Sequence, residues 1–249
     1  MTTTTEAGCA PLAENNLLKH LRPAELEILR PTLVTWKGEV GAVLYEPGQT
    51  VEHTYFPCGA TLASFRILFA NGDSVETALI GREGAVGGIV SQGRVPAFAR
   101  AVVQHPGEFV RIETARLEQA KDRSLLVRHL FARYADCLLA QIFQATACNA
   151  THNIEQRTAK WLIAAMDRTG DHRVPLTQEQ LAGMLGVGRS YINRVVRKWQ
   201  MEGVLKWNRG TLEVLNFYAL KVRQCDCNSA VQAHFEEVLA GVYPPEAHE

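Results

Sequence analysis

The sequence predicts an α+β fold in three parts: an N-terminal β jelly roll, a long central helix and a C-terminal winged helix-turn-helix. Three observations predict it. Short apolar segments alternate with turn residues between positions 34 and 112, which is typical of a roll or barrel of many short strands. Helical spacing then runs through residues 115–148. Residues 176–199 combine a helix cap, a turn glycine and two apolar helix faces at the spacing of a helix-turn-helix.

The 249 residues divide into five segments on these patterns. Residues 1–13 are predicted to be disordered, and residues 14–33 have the apolar spacing of a helix that leads into the roll. In chain order, the remaining segments are a jelly-roll sensor domain (14–114), a dimerisation helix with its hinge (115–150), a winged helix-turn-helix (151–223), and a C-terminal helix and tail (224–249).

The strands of the roll are predicted where apolar segments lie between turn signals such as Asn71-Gly72-Asp73 and Pro106-Gly107. The predicted strands are residues 40–44, 61–67, 74–80, 98–104 and 109–112.

The central helix carries two apolar stripes, so it must be buried on two neighbouring faces. One stripe contains Phe131, Leu138 and Ile142. The other has the 3–4 spacing of a coiled coil, and we predict that it forms the interface of a homodimer. Its members are Val127, Leu130, Tyr134, Cys137, Gln141, Gln144 and Cys148. The alternative is that both stripes pack inside one subunit.

The helix-turn-helix is predicted from residue types that each meet a local requirement. Thr177 is an N-cap, with Gln180 as its capping-box partner. Gly186 suits a turn that needs a positive φ angle. Ile192 and Val195 give the second helix an apolar inner face, and its outer face is polar and basic. That outer face consists of Arg189, Ser190, Tyr191, Asn193, Arg194, Arg197 and Lys198. The alternative is a solvated basic helix that binds nothing.

Two further features support a domain that binds nucleic acid. Residues 203–215 predict a β-hairpin with Asn208-Arg209-Gly210 at its tip, in the position of a wing. Residues 151–223 carry twelve Lys or Arg against six Asp or Glu, although the whole chain has a net charge of zero. A basic block inside a neutral chain is the electrostatic footprint of a DNA-binding domain. Residues 149–153 break the helical pattern and are the predicted hinge.

A jelly roll, a long helix, a hinge and a winged helix in this order resemble the Crp/Fnr family of bacterial transcription regulators. The resemblance covers about residues 14–220 and includes Leu44-Tyr-Glu-Pro-Gly48, Gly81-Arg-Glu-Gly84 and Glu155-Gln-Arg-Thr-Ala-Lys-Trp-Leu162. The family implies a cyclic-nucleotide-binding-like roll and a homodimer. Each subunit is expected to place one recognition helix in the major groove, on half-sites about one helical turn apart.

The resemblance implies which residues meet the DNA. Arg189, Ser190, Asn193 and Arg194 are expected at the bases, with Tyr191 and Lys198 on the same outer face. Phosphate contacts are expected from Thr177, Gln178 and Arg209. Many members begin this helix with Arg-Glu, whereas this chain has Arg189-Ser190. We therefore expect a palindromic operator that differs from the usual cyclic-AMP-receptor consensus.

A second departure concerns the effector. Members that bind cyclic nucleotides carry Gly-Glu and, about ten residues later, Arg-Ser or Arg-Thr. The matching positions here are Gly87-Gly88 and Pro96-Ala97, and both charges are absent. Arg94 and Arg100 flank the gap, and either is a possible phosphate partner. We expect no cyclic-AMP binding in the usual mode, and the effector is unknown.

We predict neither a metal site nor a cofactor. Iron–sulfur members carry an N-terminal cysteine cluster, but Cys9 is the sole cysteine in the first fifty residues. Cys225-Asp-Cys227 is too short and isolated for a four-ligand site, and no spacing singles out His53, Cys58 or His105 as haem ligands. One redox hypothesis stays open beside the alternative of inert, buried thiols. Cys137 and Cys148 could each face its copy across a two-fold axis and form a disulfide.

The leading hypothesis is a cytoplasmic regulator that binds double-stranded DNA as a homodimer and contacts RNA polymerase. The sequence has no apolar run long enough for a membrane helix. One alternative is a sensor whose roll binds a small molecule and whose DNA domain is secondary. Another is a cupin-type metalloenzyme, which would need clustered His and carboxylate ligands. We predict a protein that is not an enzyme.

Overall fold

The computed structural model of the chain describes residues 5–6, 12–89, 95–208 and 210–240. Its elements confirm the predicted fold class: N-terminal sheets, a long central helix and a C-terminal helix-turn-helix domain. The described strands are β1 (Thr5–Glu6), β2 (Val34–Gly38), β3 (Val43–Tyr45), β4 (His53–Pro57), β5 (Leu62–Leu68), β6 (Ser74–Ile80), β7 (Arg100–His105), β8 (Gly107–Glu113), β9 (Arg173–Pro175), β10 (Leu205–Asn208) and β11 (Thr211–Val214). The described α-helices are α1 (Asn16–Lys19), α2 (Pro23–Leu29), α3 (Thr114–Arg123), α4 (Leu125–Thr151), α5 (Ile154–Thr169), α6 (Gln178–Leu185), α7 (Arg189–Met201), α8 (Phe217–Lys221) and α9 (Cys227–Ala240).

The roll consists of two four-stranded antiparallel sheets, in the orders β1-β2-β8-β4 and β3-β7-β5-β6. The sequence missed β2 and β4. β4 is buried along most of its length and lacks the alternation that marks a strand with one solvated face. Residues 1–13 were expected to be disordered, but Thr5–Glu6 pair with Val34 and Thr35 at the edge of one sheet.

The long helical stretch predicted over residues 115–148 is two helices. Ser124 is extended, with φ −137° and ψ 118°, and its hydroxyl accepts a hydrogen bond from the Val127 backbone N–H. This cap begins α4, which has 27 residues and continues through Thr151. The predicted hinge of residues 149–153 is therefore partly helical, and the break is confined to His152 and Asn153. The next helix, α5, is capped by the side chain of Asn153, which forms a capping box with Gln156.

The C-terminal helix α9 returns along α4 and covers it. The Phe235 ring meets the Tyr134 ring edge-on at 6.3 Å, and Arg133 Nη1 donates to the Val238 carbonyl at 2.8 Å. Because α9 lies on this face, this side of α4 is buried between the roll and a helix of its own chain.

Candidate nucleic-acid interface

The first helix of the motif is fixed at both ends as predicted. Thr177 Oγ1 accepts from the Gln180 N–H at 3.1 Å, and Gln180 Oε1 accepts from the Thr177 N–H at 2.7 Å. At the other end Gly186 has φ +64°, and a β-carbon there would lie 3.2 Å from Val75 of the roll. The left-handed turn therefore favours glycine, and a larger residue would also press against Val75 of β6.

The recognition helix α7 has one apolar and one basic face. Ile192, Val195, Val196 and Trp199 are buried, and Trp199 is fully enclosed. Arg189, Ser190, Tyr191, Arg194, Arg197 and Lys198 are exposed, and Asn193 is half-buried. The buried side fixes the helix on its domain, so the basic side is presented outward.

Two of the exposed cations on this helix have partners of their own. The Arg194 guanidinium lies 5.2 Å from the centroid of the Tyr191 ring, which orients it without neutralising it. Lys198 Nζ lies 2.8 and 2.9 Å from the two carboxylate oxygens of Glu155. The hydrogen bond with Glu155 raises the pKa of Lys198. Lys198 is thus less available to a nucleic acid than Arg194.

The wing packs beside the motif as a three-stranded sheet in the order β10-β11-β9. Asn208 pairs with Thr211 at its tip, and Arg209 lies outside the described residues. A cleft of about 350 Å³ separates the wing from the helix-turn-helix. It is lined by Thr177, Gln178, Glu179, Arg189, Trp207 and Gly210. The structure therefore brings three predicted contact residues, Thr177, Gln178 and Arg189, to one concave surface.

The stripe that the sequence predicts as a dimer interface faces the inside of its own chain. Five of its members are buried within the single chain: Val127, Leu130, Tyr134, Cys137 and Cys148. Gln141 and Gln144 also bond inward, Gln141 Nε2 to the Leu79 carbonyl at 2.9 Å and Gln144 Nε2 to the Cys227 sulfur at 3.1 Å. These side chains already have partners in their own subunit, which disfavours the predicted assignment of this stripe to a subunit interface. Spacing identified a buried stripe but not the element that buries it.

The cysteine hypothesis for the dimer axis fails for the same reason. Cys137 is enclosed in the core between the roll, α4 and α9, and burial raises the pKa of its thiol to about 11. The Cys148 sulfur lies 3.7 Å from the sulfur of Cys225 in the same chain. Neither thiol is placed to meet its copy on a partner.

The local backbone explains why glycines stand at the positions that match a cyclic-nucleotide site. Gly87 and Gly88 have φ angles of +89° and +57°, and a β-carbon at Gly88 would lie 2.6 Å from the Thr114 side chain. A glutamate therefore does not fit at Gly88. Arg100 Nε pairs with Glu46 at 2.8 Å, and Arg94 lies outside the described residues.

One group of side chains away from the recognition helix was missed by the sequence reasoning. Cys225 and Cys227 are not isolated, because the fold places Cys148 and His152 beside them. The ligand-bearing atoms of these four residues all lie within 4.8 Å of one another. The pairs are more than seventy residues apart in the chain, so no local spacing could reveal the cluster.

Residues 156–223 match the Crp-like helix-turn-helix domain family. The fold is similar to that of FixK2 from Bradyrhizobium japonicum, with a TM-score of 0.65 and 14% identity over 78% of this chain and 98% of that one. It is also similar to the c-di-GMP-responsive regulator CLP of Xanthomonas campestris, with a TM-score of 0.63 and 15% identity over 78% and 99% of the two chains. TTHB099, a CRP-family regulator from Thermus thermophilus, gives a TM-score of 0.64 at 15% identity over 75% and 95%. No curated protein matches the chain by sequence. Among the described residues, no helix is long and apolar enough to cross a membrane.

Proposed function

The chain has the fold of the Crp/Fnr transcription regulators and carries a Crp-like helix-turn-helix domain, and we propose that it binds a palindromic DNA operator as a homodimer. The observation that carries this proposal is the recognition helix. Its inner face is anchored by buried Trp199, while Arg189 and Arg194 stand exposed on the opposite face. Such a helix fits the major groove and can donate to guanine O6 and N7.

The proposed contacts divide into two groups. Arg189, Ser190, Asn193 and Arg194 read base edges, with Tyr191 holding Arg194 in place. Phosphates bind Thr177 and Gln178 at the start of α6, where first-turn backbone N–H groups and the helix dipole favour an anion. Lys198 and Arg209 are further proposed phosphate partners, and Lys198 must first break its ion pair with Glu155. A serine in place of the usual acid at position 190 favours an operator that differs from the cyclic-AMP-receptor consensus.

The homodimer is proposed to form through the outer face of α4, the one that α9 and the roll leave uncovered. Leu139 is 47% exposed and Phe143 is 64% exposed, one helical turn apart. Leu125, at the start of the same helix, is also exposed. Two large apolar side chains next to each other on one exposed helix face support the proposal of an interaction surface there. A parallel second copy would cover them and set two recognition helices at the spacing of one DNA turn.

Control of the regulator is proposed to act where the DNA-binding domain meets the roll. A cavity of about 450 Å³ lies at this boundary. Its polar lining includes Arg82, Gln141, Arg157, Lys160 and Asp167. This cavity favours the second candidate function, a sensor whose small-molecule ligand shifts the pose of the recognition helix. We further propose a cytoplasmic location and contact with RNA polymerase, as regulation of transcription requires.

Binding to a generic DNA duplex at several salt concentrations tests the proposal without knowledge of the operator. The full chain should bind with an affinity that falls steeply with salt. The Arg189→Ala, Arg194→Ala double variant should bind more weakly, and its salt slope should be smaller by up to about 2. The matched control is Arg116→Ala, which removes a 54%-exposed arginine on α3. Equal binding by the double variant and the control would refute the assigned interface.

A further inference from the structure

We propose that Cys148, His152, Cys225 and Cys227 form a zinc site that clamps the DNA-binding domain to the end of the central helix. Three thiolates and one imidazole are a standard tetrahedral ligand set for structural Zn²⁺. The three sulfurs are buried and form a cluster apart from the apolar cores of the chain. His152 is half-buried at the edge of this cluster.

The separations match a single tetrahedral ion. With Zn–S bonds of about 2.3 Å, two sulfur ligands lie about 3.8 Å apart. Cys148 Sγ and Cys225 Sγ are 3.7 Å apart. A sulfur and an imidazole nitrogen on the same ion lie about 3.6 Å apart, and Cys227 Sγ lies 3.6 Å from His152 Nδ1. The cluster spans no more than 4.8 Å, so a contraction of about 1 Å completes the tetrahedron. Ligands to an iron–sulfur cluster are divided among two or more iron atoms, so the set of four would span a larger distance than this one.

The surroundings suit the charge of such a site. Three thiols would release their protons to solvent, and Zn²⁺ with three thiolates and a neutral imidazole carries one net negative charge. Cys227 begins α9, a helix of 14 residues whose N-terminus favours a thiolate. Gln144 Nε2 donates to the Cys227 sulfur at 3.1 Å.

The position of the ligands gives the site its role. Cys148 and His152 lie at the end of α4, immediately before the DNA-binding domain begins with α5. Cys225 and Cys227 follow α8, the last helix of that domain. The whole domain therefore lies between the two ligand pairs. One ion would fasten both ends of the domain to α4.

The test measures metal bound to the full chain, purified under reducing conditions without chelators, and needs no DNA. We expect about one zinc per chain. After zinc removal, one equivalent of Co²⁺ should give the visible d–d bands of a tetrahedral ion and thiolate-to-metal charge transfer. Zn²⁺ should displace the Co²⁺ and raise the Tm. The Cys225→Ser, Cys227→Ser double variant should lose the bound zinc, the Co²⁺ bands and the rise in Tm. Cys58→Ser, which alters a buried thiol in the roll, should keep them.

A ligand exchange keeps the test sharp if the double variant fails to fold. His152→Cys should still bind one Co²⁺, with a spectrum changed to that of four thiolates, while His152→Ala should bind it more weakly. An unchanged spectrum in His152→Cys would overturn the assignment of His152. The proposal as a whole would be overturned by metal-free wild-type protein that gives no tetrahedral Co²⁺ spectrum, or by a Cys148–Cys225 disulfide in protein kept anaerobic.

Discussion

Trp161 of α5 donates its indole N–H to Oε1 of Glu76 on β6 at 2.7 Å, and this hydrogen bond joins the DNA-binding domain to the roll. A second polar link lies nearby, where Arg168 Nε meets Glu83 Oε1 at 2.7 Å. The pose of the recognition helix relative to the roll therefore depends on these polar pairs as well as on apolar contacts of Leu62 and Leu79 with the DNA-binding domain. Such pairs are sensitive to pH and to single substitutions.

Glu76 should make stability depend on pH. Burial raises the pKa of its carboxyl group to about 7, although Trp161 and the neighbouring cations Arg66 and Arg168 act in the opposite direction. Between pH 4.5 and about 7, the folded chain thus keeps a proton on Glu76 that the unfolded chain has already released. The free energy of unfolding should fall as pH rises through this window, by at most about 1.4 kcal/mol per pH unit.

Urea unfolding of wild type and Glu76→Gln at several pH values isolates this effect. The amide oxygen can still accept from Trp161 but does not titrate. The difference in unfolding free energy between the two proteins should therefore change across the window and level off above it. A difference independent of pH would show that Glu76 is ionised throughout.

Arg168 should matter more than an exposed arginine. In its ion pair with Glu83, the Arg168 side chain is only 18% exposed and the Glu83 side chain 23%. Glu83 also accepts from the Gly81 N–H at 3.0 Å. Arg168→Ala should cost about 1–3 kcal/mol and speed hydrogen exchange where α5 meets the roll. Arg116, whose pair with Glu113 spans 3.9 Å and is 54% exposed, is the matched control, with an expected cost within about 0.5 kcal/mol. Equal costs would mean that the interdomain pair does not hold the domains together.

Leu139→Glu combined with Phe143→Glu should prevent dimerisation, because two carboxylates would face their copies on an apolar surface. Sedimentation should give a monomer with an unchanged circular dichroism spectrum. Leu215→Glu is the control, since Leu215 is 56% exposed in the DNA-binding domain and away from α4. A dimer that survives the double substitution would place the subunit interface on another surface.

Trp199 should be the main anchor of the recognition helix. It is fully buried, and its indole Nε1 has no hydrogen-bond partner among the described residues. Trp199→Ala should cost about 3–5 kcal/mol in the unfolding free energy. Trp199→Phe should cost much less, because it fills most of the volume and removes an unpaired donor. Similar losses of unfolding free energy in both variants would mean that the indole N–H of Trp199 does donate a hydrogen bond in the folded protein.

Local patterns predicted the DNA-binding domain better than the rest of the chain. The Thr177–Gln180 capping box, the turn at Gly186 and the two faces of α7 each depend on residues within a few positions of one another. The wing sheet was predicted in part, since its hairpin is local, whereas its third strand, β9, comes from a segment about thirty residues earlier in the chain.

Features that depend on distant segments could not be predicted in this way. Periodicity revealed the stripe through Tyr134 and Cys148 but could not show that α9 covers it. The cysteine and histidine cluster likewise joins Cys148 with Cys225 across most of the C-terminal half. In both cases the missing information was the return path of the last helix, which no spacing encodes.

Dimeric recognition of DNA by α7 can be tested by selection from random DNA duplexes with the purified full chain and, in parallel, with Arg194→Ala. The wild-type chain should enrich a two-fold symmetric motif with half-sites about one helical turn apart. Arg194→Ala should relax one base position in each half-site at a cost of about 1–3 kcal/mol. An enriched motif without symmetry would rule out binding as a homodimer, and a motif unchanged in the variant would rule out base reading by Arg194.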